Sequence, residues 1–131
     1  MSDIPILQIG KNVVVPIQTE LDDIGAKKMQ EEILYRIEKT GASGLVIDVS
    51  AVSIIDSFLG RILVDTSKMA KLMGANAVIA GMKKEVVMTL ILLGLRMEGL
   101  KSAMNLEEGL NLLKKLQEKD AGRGSHENRI L

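Results

Sequence analysis

The sequence predicts a single α/β domain, built as a mixed β-sheet with about four helices packed mainly on one face. Three observations predict it. Two short apolar runs stand back to back near the start, before any helical periodicity begins. Helix-like and strand-like segments then alternate as far as residue 117. A glycine closes each of the first three predicted helices, at Gly41, Gly74 and Gly94. Two strands followed by repeated helix–strand units call for right-handed crossovers, and these gather helices on one side of a sheet. A chain of 131 residues suits one domain.

The elements follow in order. Ile4 to Ile9 reads as the first strand and Val13 to Ile17 as the second, with Gly10-Lys11-Asn12 as the turn. Pro16 marks an edge or a strand end, because it lacks the N–H that a central strand donates. Glu20 to Thr40 carries Ala26, Met29, Ile33, Leu34 and Ile37 at helical spacing, with Asp22 or Asp23 as its cap. Gly44 to Val49 is a third strand. Its apolar run Leu45-Val46-Ile47 suits a strand covered on both faces. Phe58 to Met73 is a second helix with a stripe of Leu59, Ile62, Leu63, Thr66, Met69, Ala70 and Met73. Asn76 to Ala80 is a fourth strand, Lys84 to Leu93 a third helix, and Leu100 to Met104 a short fifth strand. A last helix starts at Asn105, with Glu108 spaced for a capping box and Leu106, Leu110, Leu113 and Leu116 as its stripe. The domain is expected over 1–120. The polar, glycine-containing stretch 121–131 is expected to be a disordered tail.

Composition removes several function classes. Seventeen basic and seventeen acidic residues balance, which gives no electrostatic case for nucleic acid or an anionic membrane. Tyr35 and Phe58 are the only aromatic residues, so bases would have little to stack on. The absence of cysteine excludes disulfides, thiol catalysis and cysteine–zinc sites. No metal or other cofactor is expected. No secretory signal is recognisable, and the apolar stretch Val86 to Leu95 is about half of the roughly 20 residues a spanning helix needs. A cytoplasmic protein is expected.

The candidate site is Ser57. It stands in Ile55-Asp56-Ser57-Phe58, where a strand and a loop give way to a helix. A hydroxyl there lies beside helix amides that have no partner within the helix, which favours negative charge. In the simplest case Asp56 or Ser57 is only a cap, worth about 1 kcal/mol. The functional alternative is phosphorylation, with Asp48, Asp56, Phe58, Gly60 and Arg61 as the surroundings of the phosphosite. Arg61, four residues on, would reach back to a phosphate, and Asp48 and Asp56 would repel it. Gly60 costs helix propensity. It allows either close approach by a partner or tight packing. Ser53, Thr66 and Thr89 are secondary candidates. Catalysis is not expected: the sole histidine, His126, falls in the tail, no lysine is marked as a base, and no phosphate-binding glycine motif occurs. The run Val86 to Leu93 is apolar on nearly every helical face, which is difficult to bury in so small a domain without a partner. Self-association or hetero-assembly is therefore expected.

The order of elements and the strings Ile4-Pro5-Ile6-Leu7, Glu20-Leu21-Asp22-Asp23, Val46-Ile47-Asp48-Val49, Ile55-Asp56-Ser57-Phe58, Met69 to Ala75 and Leu106-Glu107-Glu108-Gly109-Leu110 resemble the STAS domain of anti-sigma-factor antagonists, in its RsbS-type stressosome branch. The resemblance covers residues 4 to 117. It implies a non-catalytic scaffold that assembles with RsbR-like STAS subunits and holds an RsbT-like serine kinase. It also implies that phosphorylation at Ser57 releases the kinase and that a PP2C-type phosphatase resets the system. Phe58 favours this branch over simple antagonists, which carry a polar residue or glycine after the serine. Two other functions stay open: a stand-alone antagonist that binds an anti-sigma factor directly, and a small-ligand sensor with a cleft above the strand ends.

Overall fold

The computed structural model describes residues 4–97 and 99–130, with side chains as far as Asp120. Its elements are β1 (Leu7–Ile9), β2 (Asn12–Pro16), α1 (Asp23–Thr40), β3 (Gly44–Asp48), α2 (Ser57–Leu72), β4 (Asn76–Ala80), α3 (Lys84–Leu92), β5 (Lys101–Ala103) and α4 (Leu106–Ile130). The backbone of 121–130 continues α4, where a disordered tail was expected over 121–131; Leu131 lies outside the described residues.

The five strands lie in the sheet in chain order. β1 pairs antiparallel with β2, and Ile9 faces Asn12, so the turn is the two residues Gly10-Lys11. Gly10 has φ of +59°, which a hairpin turn of the II′ type demands at its first position. The remaining pairs are parallel: β2 with β3, β3 with β4, and β4 with β5. Pro16 ends β2, so its missing N–H leaves the ladder intact. β1 is shorter than expected and begins only at Leu7, after Pro5.

Alternation along the central strands divides the core in two. Val13, Val15, Leu45, Ile47, Ala77 and Ile79 face α1, α2 and α3, where Met29, Ile33, Ile37, Leu59 and Leu63 complete one core. Val46, Val78 and Ala80 face the opposite way and are covered by Leu106, Leu110 and Leu113 of α4. Three helices thus share one face and α4 covers the other. The split follows from chain order, because two consecutive right-handed crossovers stepping the same way along a sheet put their helices on the same side. α4 follows the last strand and is free of that constraint. Gly109 lets it settle on the sheet: a Cβ there would lie 3.3 Å from Val46 Cγ1.

Capping explains the helix limits. The Asp22 side chain accepts the Gly25 N–H at 2.7 Å, so α1 starts at Asp23 rather than Glu20. Gly41 at φ +65° ends it, donating to the Ile37 carbonyl. In α4 the Asn105 carboxamide accepts the Glu108 N–H at 2.9 Å. Gln30 of α1 is buried and donates to Thr66 of α2, whose hydroxyl donates to the Ile62 carbonyl.

Candidate functional site

The C-terminal end of β3 delivers the chain into the loop that carries the site. Asp48 is the last residue of β3, and its carboxylate accepts the Ser50 N–H at 3.0 Å, closing a local turn. Val52 and Ile55 are buried and pin the loop to the core, while Ile54 between them is exposed. The loop has a second support that the sequence did not disclose. Gly81, just past β4, has φ of +80°, and a Cβ there would sit 2.6 Å from Ser50 Cβ. The backbone after β4 therefore lies directly against the start of the serine loop. A glycine closing a strand was visible in the sequence, but the neighbour that requires it was not.

α2 begins at Ser57 itself, one residue earlier than expected. Asp56 is the N-cap, and its carboxylate accepts the Leu59 N–H at 2.8 Å. The cap is thus Asp56, which leaves Ser57 as the first helical residue, exposed and without a hydrogen bond to its hydroxyl among the described residues. Its amide and that of Phe58 precede the first bond within the helix, from the Gly60 N–H to the Asp56 carbonyl at 2.9 Å. Phe58 is 38% exposed and Ile54 67%, so the stretch that carries the serine shows apolar as well as polar side chains to solvent.

The other expected neighbours have contacts of their own. Gly60 is buried, and a Cβ there would lie 2.8 Å from Leu90 Cδ2 and 3.2 Å from Leu95 Cδ2. Its role is tight packing: it admits α3 against the first turn of α2. Arg61 is exposed and lines a shallow depression with Asp65, Lys68 and Arg96. Asp48 and Asp56 each bind a nearby amide and do not form a carboxylate pair. Of the secondary candidates, Thr66 is fully buried with its hydroxyl engaged, whereas Ser53 and Thr89 are exposed. The side chain of His126 lies outside the described residues. Among the described residues there is no cluster of metal-ligating side chains, and no helix is long and apolar enough to cross a membrane.

α3 buries only Val86 and Leu90. Met88, Ile91, Leu92 and Leu93 are all more than half exposed. The expected apolar outer face is therefore present, beside the first turn of the helix that carries Ser57.

Comparison with known proteins agrees with this architecture. The STAS domain family model matches residues 3–109. RsbS from Moorella thermoacetica, in a serine-to-glutamate variant, is 38% identical, with a TM-score of 0.81 over 89% of this chain and 99% of that one. A chain from the molecular architecture of the stressosome is 40% identical, with a TM-score of 0.77 over 86% of this chain and 98% of that one. RsbRA of Bacillus subtilis, an RsbT co-antagonist protein, is 24% identical over 81% of this chain; the match spans only 39% of RsbRA. The chain belongs to the STAS-domain family, and within that family its likeness is to proteins of the RsbS type.

Proposed function

We propose that this protein is a non-catalytic cytoplasmic scaffold of a stressosome-type assembly, and that phosphorylation of Ser57 switches its hold on an RsbT-like serine kinase. One observation carries the reading: Ser57 is an exposed first-turn serine whose helix is already capped by Asp56. The likeness to RsbS and to a stressosome chain over nearly their whole length supports it. RsbR-like STAS subunits are the proposed assembly partners and a PP2C-type phosphatase the proposed reset.

The physics of the switch is local. A phosphate on Ser57 adds about −1.5 to −2 charge at the helix start. The helix dipole favours it by roughly 0.3–1 kcal/mol, and Asp56 next to it opposes it. These terms are comparable, so the fold tolerates the modification. The surface does not stay the same. A dianion now stands beside the exposed Phe58, and a partner seated on this loop and helix start would have to strip water from it, which costs several kcal/mol when no counter-charge is supplied. The exposed outer face of α3 alongside supplies further apolar area for assembly.

The test is peptide mass spectrometry after incubation with ATP and the cognate kinase, followed by binding measurements. One phosphate is expected on the Ser57 peptide and none in Ser57→Ala. Ser57→Ala should retain the kinase, and Ser57→Asp should bind it at least about tenfold more weakly. Equal binding by both variants would remove the switch. Capture of a single anti-sigma factor in place of the kinase would favour the stand-alone antagonist.

A further inference from the structure

The flank of α2 that faces β5 carries a cavity of about 380 Å³, remote from Ser57. Its origin is a shortfall of cover. α3 has only nine residues and packs at the first turn of α2, and none of its residues reaches the flank of α2 beside β5. Ala77 of β4 and Gly99 are too small to fill the space. Val64, Leu72, Ala77 and Leu100 make an apolar lining.

The rim is cationic. Lys68, Lys71 and Lys101 border the cavity, and no carboxylate lines it among the described residues. Lys71 is held in place by a 2.6 Å bond to the Asn76 side-chain oxygen, and Asn76 in turn donates to the Asp120 carboxylate on the side away from the cavity lining. In a chain whose formal net charge is zero, three lysines around one apolar cleft are a local departure from the whole. No aromatic ring lines the cleft, so a nucleotide base would have nothing to stack on. The volume falls at the lower end of the range of small-molecule sites, about 300–1,000 Å³.

We infer that this cleft binds a free amphiphilic anion: an alkyl chain laid along Val64, Ala77 and Leu100, with a carboxylate or phosphate head among Lys68, Lys71 and Lys101. Lys68 lies eleven positions along α2 from Ser57, about 16 Å at 1.5 Å per residue. The ligand would therefore leave the serine uncovered, and the inference stands independently of the proposed phosphorylation switch.

The probe is sodium decanoate below its micelle-forming concentration, titrated into the full chain and followed by methyl chemical shifts. Saturable shifts are expected at Val64, Leu72, Ala77 and Leu100, with Val46 and Leu113 on the far side of the sheet unmoved. Affinity should rise about twofold to fourfold per added methylene from octanoate to decanoate. Decanol, which lacks the charge, should bind more weakly. The double variant Lys68→Gln/Lys101→Gln changes only surface-accessible amines and should lower decanoate affinity roughly fivefold with unchanged melting temperature. Non-saturating shifts, shifts centred on the outer face of α3, or an unaltered affinity in the double variant would each overturn the inference. So would co-sedimentation with phosphatidylglycerol vesicles in the absence of decanoate binding, which would assign the lysines to a lipid surface.

Discussion

α2 and α3 lie on the same face of the sheet, yet the sheet holds them very differently. α2 buries eight of its sixteen residues and has a side-chain cap in Asp56. α3 buries two of its nine, and its N-cap position, Lys83, offers no side-chain hydrogen bond. The helix that carries Ser57 is thus anchored along its length, and the serine is presented from a fixed platform. The helix beside it is attached through Val86 and through Leu90, which is seated on Gly60, and turns Met88, Ile91 and Leu92 outward. In a domain this small, apolar side chains need not all serve the domain's own stability, and α3 places half of its own where only another molecule could cover them.

The largest effects should separate the two helices. Leu63→Ala, at a fully buried α2 position, should cost about 2–5 kcal/mol in urea unfolding. Leu92→Ala, 80% exposed on α3, should stay within about 0.5 kcal/mol. Comparable losses at both positions would mean that the outer face of α3 is covered in solution, and light scattering on the same samples would show the assembly. A smaller loss is expected at the loop support. Gly81→Ala combines a left-handed backbone with a Cβ pressed on Ser50, and should cost about 1–3 kcal/mol while shifting the amide resonances of Ser50 to Ser53. The smallest pair inverts the caps. Asp56→Ala should lose about 1 kcal/mol, and Lys83→Asp should gain about 0.5–1 kcal/mol by giving α3 the acceptor it lacks. If Lys83→Asp gave no gain, the weak attachment of α3 would be a matter of packing alone.

Local chemistry made most of the fold legible. Asn76 to Ala80 coincides with β4, and the Asn105–Glu108 spacing marks a real cap, because both depend on side chains close in sequence. α1 and β1 begin later than expected, at Asp23 and Leu7, because apolar or helical pattern alone does not locate the residue that closes an element. The serine, its helix start and the aspartate before it were readable for the same local reason. What surrounds them was not. The fit of Leu90 into Gly60 and of Gly81 against Ser50 joins residues thirty positions apart, and a sequence records the glycine without recording what approaches it. Arg61, four residues from Ser57 on the same helix, is exposed and also borders the depression with Asp65, Lys68 and Arg96, company that its position in the sequence records only in part.

Because the strands stand in the sheet in the order of the chain, a polypeptide leaving the ribosome can add each strand to the edge of the one before it, with no rearrangement. The helices α1 and α2 arrive between strands and cover one face as it forms. The opposite face, with Val46, Val78 and Ala80, has no cover until Leu106, Leu110 and Leu113 emerge, after all five strands. Until then, a sheet nearly complete in hydrogen bonds is still sticky on one side. α4 thus closes the fold in time as well as in space, and the interval between β5 and α4 is when the emerging domain exposes a whole apolar sheet face.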